Sequence, residues 1–165
     1  MDRARRRGAA VVFLVAGLVY LADRLTKIWA ESRLVDAPID VIDGVLTFRF
    51  TTNSGGAFSI GGSTPWIFVT ASVLVIGVIL VTAFRHTTVA SALAVGLILG
   101  GALGNLTDRA TRGDGFRGRV VDFIDVHVWP IFNLADTAIV VGALILALGS
   151  FLDGRSDRSE PPDVR

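Results

Sequence analysis

Asn105-Leu106-Thr107-Asp108-Arg109 and Asn133-Leu134-Ala135-Asp136 share one pattern, an amide followed three residues later by a carboxylate. Positions i and i+3 lie on one face of a helix, so each asparagine can orient the carboxyl group of its aspartate. Two such carboxylates in one low-dielectric site cannot both ionise cheaply, and the pair then holds a single proton. One member can take a proton from water while the other donates to a carbonyl oxygen, which is the requirement for peptide hydrolysis without metal, serine or cysteine. Taken alone, Asp108 reads as a partner of Arg109 at a helix end. Asp136 resists that reading, because sixteen uncharged residues follow it, and an acid in an apolar span is a functional candidate by default. Asp23 and Lys27 make a third pair at i, i+4, with Lys27 the only lysine of the chain. Its plain reading is an interfacial ion pair that anchors a helix end.

Other chemistries have less support. There is no cysteine, and the two histidines do not form HExxH. A serine–lysine dyad would need a lysine free of a neighbouring acid, whereas Lys27 has Asp23 beside it. A formal net charge of +1 provides no field for nucleic acid. No metal and no organic cofactor are expected.

The elements that carry these residues must lie in lipid. Hydrophobic residues make up 52% and charged residues 19% of the 165, with a mean hydropathy of +0.60. So small a globule cannot hide that much apolar surface. Crossing the bilayer core takes about 20 apolar residues in helix. The expected fold is an α-helical membrane protein of four transmembrane helices, at about residues 9–30, 65–84, 88–107 and 129–152, in one domain over 1–152. The arginines before the first span favour a cytoplasmic amino terminus, and an even number of spans puts the carboxyl terminus there too. The first run also resembles a signal peptide, but no A-x-A site follows it. Residues 31–64 and 108–128 then lie outside the cytoplasm. Val45–Phe50 and Val120–Val126 alternate like strands, which predicts a small extracytoplasmic sheet. The polar tail, 153–165, is expected to be disordered. A rise of 1.5 Å per residue sets Asp108 about 30 Å from Thr88, Asp136 about 24 Å from Leu152 and Asp23 about 22 Å from Gly8. All three therefore sit near the outer surface, and such depths permit contact. Gly96, Gly100 and Gly104 recur every fourth residue, a strip suited to close helix packing.

With these positions laid out, the chain resembles the lipoprotein signal peptidase (signal peptidase II) family, membrane aspartic peptidases of bacteria, from about Val11 to Leu152. Asp23-Arg24-Leu25-Thr26-Lys27 and Asn53-Ser54-Gly55-Gly56-Ala57-Phe58-Ser59 are similar to its first two boxes. Gly100 to Arg109 is similar to the third, and Val121-Asp122-Phe123 and Phe132-Asn133-Leu134-Ala135-Asp136 complete the set. The resemblance implies cleavage of prolipoprotein signal peptides before a lipidated cysteine, in a multi-pass protein of the bacterial inner membrane. It implies Asp108 and Asp136 as the catalytic dyad, with Asp23, Lys27, Asn53, Gly55, Phe58, Asn105, Arg109, Asn133 and Ala135 around it. Gly56 departs from the family's usual alanine. Membrane lipids are the other partner, and a monomer is expected. A proton-coupled transporter or a non-catalytic assembly factor would be the alternatives. The first should carry acids at mid-membrane, and the second would leave the Asn-x-x-Asp pairs idle.

Overall fold

The computed structural model describes residues 3–54, 65–85 and 88–156. Four helices and three strands follow one another: α1 (Arg3–Arg33), β1 (Ile39–Ile42), β2 (Leu46–Asn53), α2 (Pro65–Thr82), α3 (Val89–Thr111), β3 (Val120–Asp125) and α4 (Leu134–Ser156). Three helical stretches, Arg3–Arg33, Val89–Thr111 and Leu134–Leu152, are long and apolar enough to cross a membrane. The apolar part of α2, Trp66–Thr82, is shorter. Leu14, Leu18 and Leu25 on α1, Leu74 and Val78 on α2, and Leu144 and Leu148 on α4 are exposed. That arrangement suits a bundle whose solvent is hydrocarbon.

Helix α3 is central, packing against α1 and α4. Its glycine strip explains how. A methyl group on Gly96 would come within 2.8 Å of the Val12 carbonyl, and one on Gly100 within 2.6 Å of the Ala16 carbonyl. At Gly104 it would run into the Asp23 carboxylate. The strip is therefore the α1 interface. On the other side, Gly101 meets the Ala135 carbonyl and Gly142 of α4 meets the Ala94 carbonyl. Gly100→Ala must push backbone from backbone and should cost about 1–3 kcal/mol. Gly149→Ala meets nothing within 4 Å and should gain a few tenths to about 1 kcal/mol from helix propensity. Thermal unfolding of the two variants side by side checks this.

The sheet is antiparallel in the order β1-β2-β3. A tight turn at Gly44, with φ of 68°, joins the first two strands. Between Phe48 and Thr51 the register with β3 shifts, so Thr47 faces Asp125 while Thr51 faces Asp122 and Asn53 faces Val120. β3 is buried almost throughout instead of half-buried as alternation suggests. Val121 and Phe123 pack with Ala30 and Leu34 at the end of α1, and Val120 and Asp122 face a cleft on the other side. Trp29, Phe48 and Phe123 meet edge to face at 5.6–6.3 Å.

Several expected boundaries move, and α1 itself runs over Arg3–Arg33 where 9–30 was expected. Helix α4 starts at Leu134 and not at 129, because Trp129 precedes a proline and is disfavoured in the α region, Phe132 bridges back to Ile124, and the Asn133 side chain accepts from the Asp136 amide as a cap. At its far end α4 continues to Ser156, into the segment expected to be disordered, and 157–165 lie outside the described residues. Helix α3 runs on to Thr111, where the Arg112 amide closes it on the Asp108 carbonyl at 3.0 Å.

Candidate active site

Six charged side chains from α1 and the end of α3 form one network. Asp108 is its hub and is fully buried. Its Oδ1 accepts from Arg24 Nη1 at 2.6 Å and Arg112 Nε at 2.7 Å. Its Oδ2 pairs with Lys27 Nζ at 3.0 Å and accepts from the Val121 amide at 3.2 Å. Lys27, also fully buried, pairs with Asp23 Oδ2 at 2.8 Å and donates to Asn105 Oδ1 at 3.0 Å. Arg112 reaches across to both oxygens of Glu31. Asp23, Glu31 and Asp108 thus balance Arg24, Lys27 and Arg112, as burial demands. The i, i+4 pair Asp23–Lys27 forms as its spacing suggests, with both side chains fully buried in the bundle. Asp23 has a second task, accepting from the Ala135 amide at 3.0 Å in the first turn of α4. Gly118, whose amide donates to the Arg109 carbonyl at 3.0 Å, lets the chain pass the end of α3 on its way to β3.

The second Asn-x-x-Asp motif folds differently from the first. Asn133 caps α4: its Oδ1 accepts from the Asp136 amide at 2.9 Å, and Asp136 Oδ2 accepts from the Asn133 amide at 3.4 Å. This reciprocal pair is a capping box. Asp136 Oδ1 accepts from Asn105 Nδ2 at 2.8 Å. Asn133 Nδ2 donates to Asp122 Oδ1 at 2.6 Å and to Asn105 Oδ1 at 3.2 Å.

Asp122 and Asp136 line one cleft of about 370 Å³, together with Asn53, Asn105, Arg109 and Phe68. Apolar residues of α2, α4 and the loop before α4, such as Ala71, Val140 and Trp129, form the rest of its wall. Burial pushes the Asp122 carboxyl up to about 7, the negative charge of Asp136 adds to this, and hydrogen bonds from Asn133 and Asn53 oppose it. Arg109 is buried, its Nη1 donates to the Asn105 carbonyl at 3.3 Å, and its guanidinium stacks 5.5 Å from the Phe68 ring centre.

The pairing of Asp108 with Asp136 expected from their shared motif does not form. Both oxygens of Asp108 are taken by three cations and an amide, and Asp108 does not line the cleft. It is linked to Asp136 through Lys27 and Asn105. The acid that shares the cleft with Asp136 is Asp122, which the spacing argument passed over. An acid between valine and phenylalanine in a strand was the available signal, since nothing apolar about that strand calls for it. Arg24, Glu31 and Arg112 were also passed over. Arg112 lies four residues after Asp108, so that pair was legible. Asn53, Asn105 and Arg109 line the cleft, Asn133 is buried against Asp122 and Asp136, and Asp23, Lys27 and Ala135 lie behind it. Gly55 and Phe58 lie outside the described residues.

Comparison with known proteins bears on this arrangement. Residues 15–152 match a family model described as "Signal peptidase (SPase) II". The chain is 44% identical to a lipoprotein signal peptidase of Leifsonia xyli, over 95% of this chain and 76% of that one. It is 43% identical to one of Streptomyces coelicolor, over 91% and 75%, and 40% identical to one of Syntrophomonas wolfei, over 85% and 92%. Among solved structures, a bacterial membrane enzyme crystallised in meso superposes with a TM-score of 0.78 at 25% identity, covering 94% of this chain and 95% of that one.

Proposed function

Since the chain belongs to the signal peptidase II family, we propose that it is a bacterial inner-membrane peptidase that removes signal peptides from prolipoproteins, with Asp122 and Asp136 as its catalytic dyad. The observation that carries the dyad is their presence in one cleft with Arg109, while Asp23, Glu31 and Asp108 are neutralised behind it. Two carboxylates and one guanidinium in a low-dielectric cleft balance when the pair holds a single proton. Asp122, with its raised pKa, is the member that keeps it. Asp136, held by the Asn105 side-chain amide and the Asn133 backbone amide at the first turn of α4, is the member that serves as the base.

In the reaction, Asp136 takes a proton from a water whose oxygen adds to the scissile carbonyl, and Asp122 gives its proton to the carbonyl oxygen. Collapse of the tetrahedral diol breaks the C–N bond. The leaving nitrogen takes the proton from Asp136, and the new acid returns one to Asp122. Peptide and water become acid and amine, and the dyad is restored.

The orientation we favour keeps both termini in the cytoplasm, with α2 as a fourth crossing and the sheet at the outer face. The bond then lies near the outer interface, immediately before the lipidated cysteine. Asn53 and Asn105, which line the cleft, are placed to meet substrate backbone that must unwind there, while Asn133 holds the two acids. Purified protein mixed with a diacylglyceryl-modified prolipoprotein should release the signal peptide. An unmodified precursor cleaved equally well, or no cleavage, would overturn the reading.

A pH profile adds a second check. Asp122 must be protonated to act as the acid, so kcat/KM should fall tenfold per pH unit above about 7. The same raised pKa means that the native state holds a proton which the unfolded chain loses near 3.8. Its contribution to stability is therefore full below that pH, declines as pH rises towards 7, and levels off above it.

A further inference from the structure

Hydrolysis turns a neutral amide into an anion, and the cleft already contains two acids. Arg109 is the cation among the described residues that line it. It is 6% exposed. Its Nη1 is engaged by the Asn105 carbonyl, whereas Nε has no hydrogen-bond partner among the described residues. The Phe68 ring, 5.5 Å from the guanidinium centre, fixes the plane of the group. Arg109 interacts electrostatically with Asp136 and Asp122, so its charge is felt where the bond is cut. A guanidinium held in one plane with an unused N–H is suited to a carboxylate, whose two oxygens match its fork, and much less to an amide, which presents one neutral oxygen.

We infer that Arg109 is the receptor for the C-terminal carboxylate of the released signal peptide, so that this product is retained in the cleft after the bond is broken and competes with fresh substrate. The inference rests on the peptidase reading above. It assigns Arg109 a preference for product over substrate, and product departure becomes a step that the cell must drive by removing the free peptide.

The test uses two synthetic signal peptides of one sequence, ending at the residue before the cleavage site, one a free acid and the other a carboxamide. Each is titrated in micelles against the full-length wild type, Arg109→Lys and Arg109→Gln, and binding is read directly so that loss of turnover does not hide the result. The wild type should bind the acid at least tenfold more tightly than the amide and be inhibited accordingly. Arg109→Lys, a point charge without the fork, should keep part of that preference. Arg109→Gln should bind acid and amide alike, with the amide bound as in the wild type to show an intact cleft. Equal binding of acid and amide by a wild type that cleaves prolipoprotein overturns the inference alone. So does a preference that survives in Arg109→Gln. A wild type that cleaves no prolipoprotein overturns the peptidase reading, and this inference with it.

Discussion

Asp122→Asn and Asp136→Asn should each lower cleavage of a lipidated prolipoprotein by at least about 10³-fold while the protein still folds and inserts. Each substitution removes a proton carrier that the other cannot replace, and general acid–base groups typically supply 10²–10⁴-fold each. Structure should survive for specific reasons. Asp122 accepts from Asn133 Nδ2, and an asparagine oxygen can accept the same bond. Asp136 accepts from Asn105 on one oxygen and from the Asn133 amide on the other, so an asparagine can keep the shorter bond at 2.8 Å and gives up only the long one at 3.4 Å. Neither acid makes a direct ion pair among the described residues, so no buried partner is stranded. The measurement is single-turnover cleavage beside a thermal unfolding curve for each variant. Near-native turnover by Asp122→Asn, with Asp108→Asn inactive but fully folded, would move the dyad back to Asp108.

Lys27→Ala should be the most destabilising single substitution in the chain, by about 3–5 kcal/mol, the usual cost of removing one partner from a buried charge cluster. Its ammonium touches Asp23 at 2.8 Å, Asp108 at 3.0 Å and the Asn105 oxygen at 3.0 Å, and all of these groups are buried. Without it, two carboxylates face each other in the bundle interior. The double variant Lys27→Met with Asp23→Asn removes a charge of each sign and should recover part of the loss, although Asp23 must still accept from the Ala135 amide. Asp108→Ala should be destabilising through the same network, since it leaves Arg24, Lys27 and Arg112 without their common anion and frees the Val121 amide. Its effect on activity should track the amount of folded protein. A Lys27→Ala protein as stable as the wild type would show that the network is not what holds α1, α3 and β3 together.

Several features were readable without coordinates. Apolar run lengths located four helices, three of them long and apolar enough to cross a membrane, because the length of a membrane helix is set by bilayer thickness and not by tertiary context. Two alternating segments gave strands, and the glycine period gave a packing face, now assigned to α1. Asn105 and Asn133 stood out by type and spacing, since polar side chains in an apolar chain need a reason, whereas Asn53 and Arg109 were placed at the site by the family resemblance. Helix boundaries were less legible. Start and stop of α4 depend on the Ile124–Phe132 bridge and on the Asn133 cap, and both need partners that are already folded.

The choice of acids separates local pattern from tertiary structure most clearly. Two Asn-x-x-Asp motifs look equivalent in a string of letters, and an acid count alone cannot say which carboxylates meet. The amino-acid sequence by itself determined that this is a lipid-embedded helical chain with acids, amides and one lysine gathered towards one end of its spans. Only the tertiary structure decided that Asp108 is consumed by Arg24, Lys27 and Arg112, while Asp122, on a strand fourteen residues further along, turns into the cleft beside Asp136. The physical reason is that charge neutralisation is a sum over neighbours in space. Whether a buried acid is silent or free for chemistry depends on how many cations reach it, and two of the three at Asp108, Arg24 and Lys27, come from a helix that adjoins it only once the bundle has assembled.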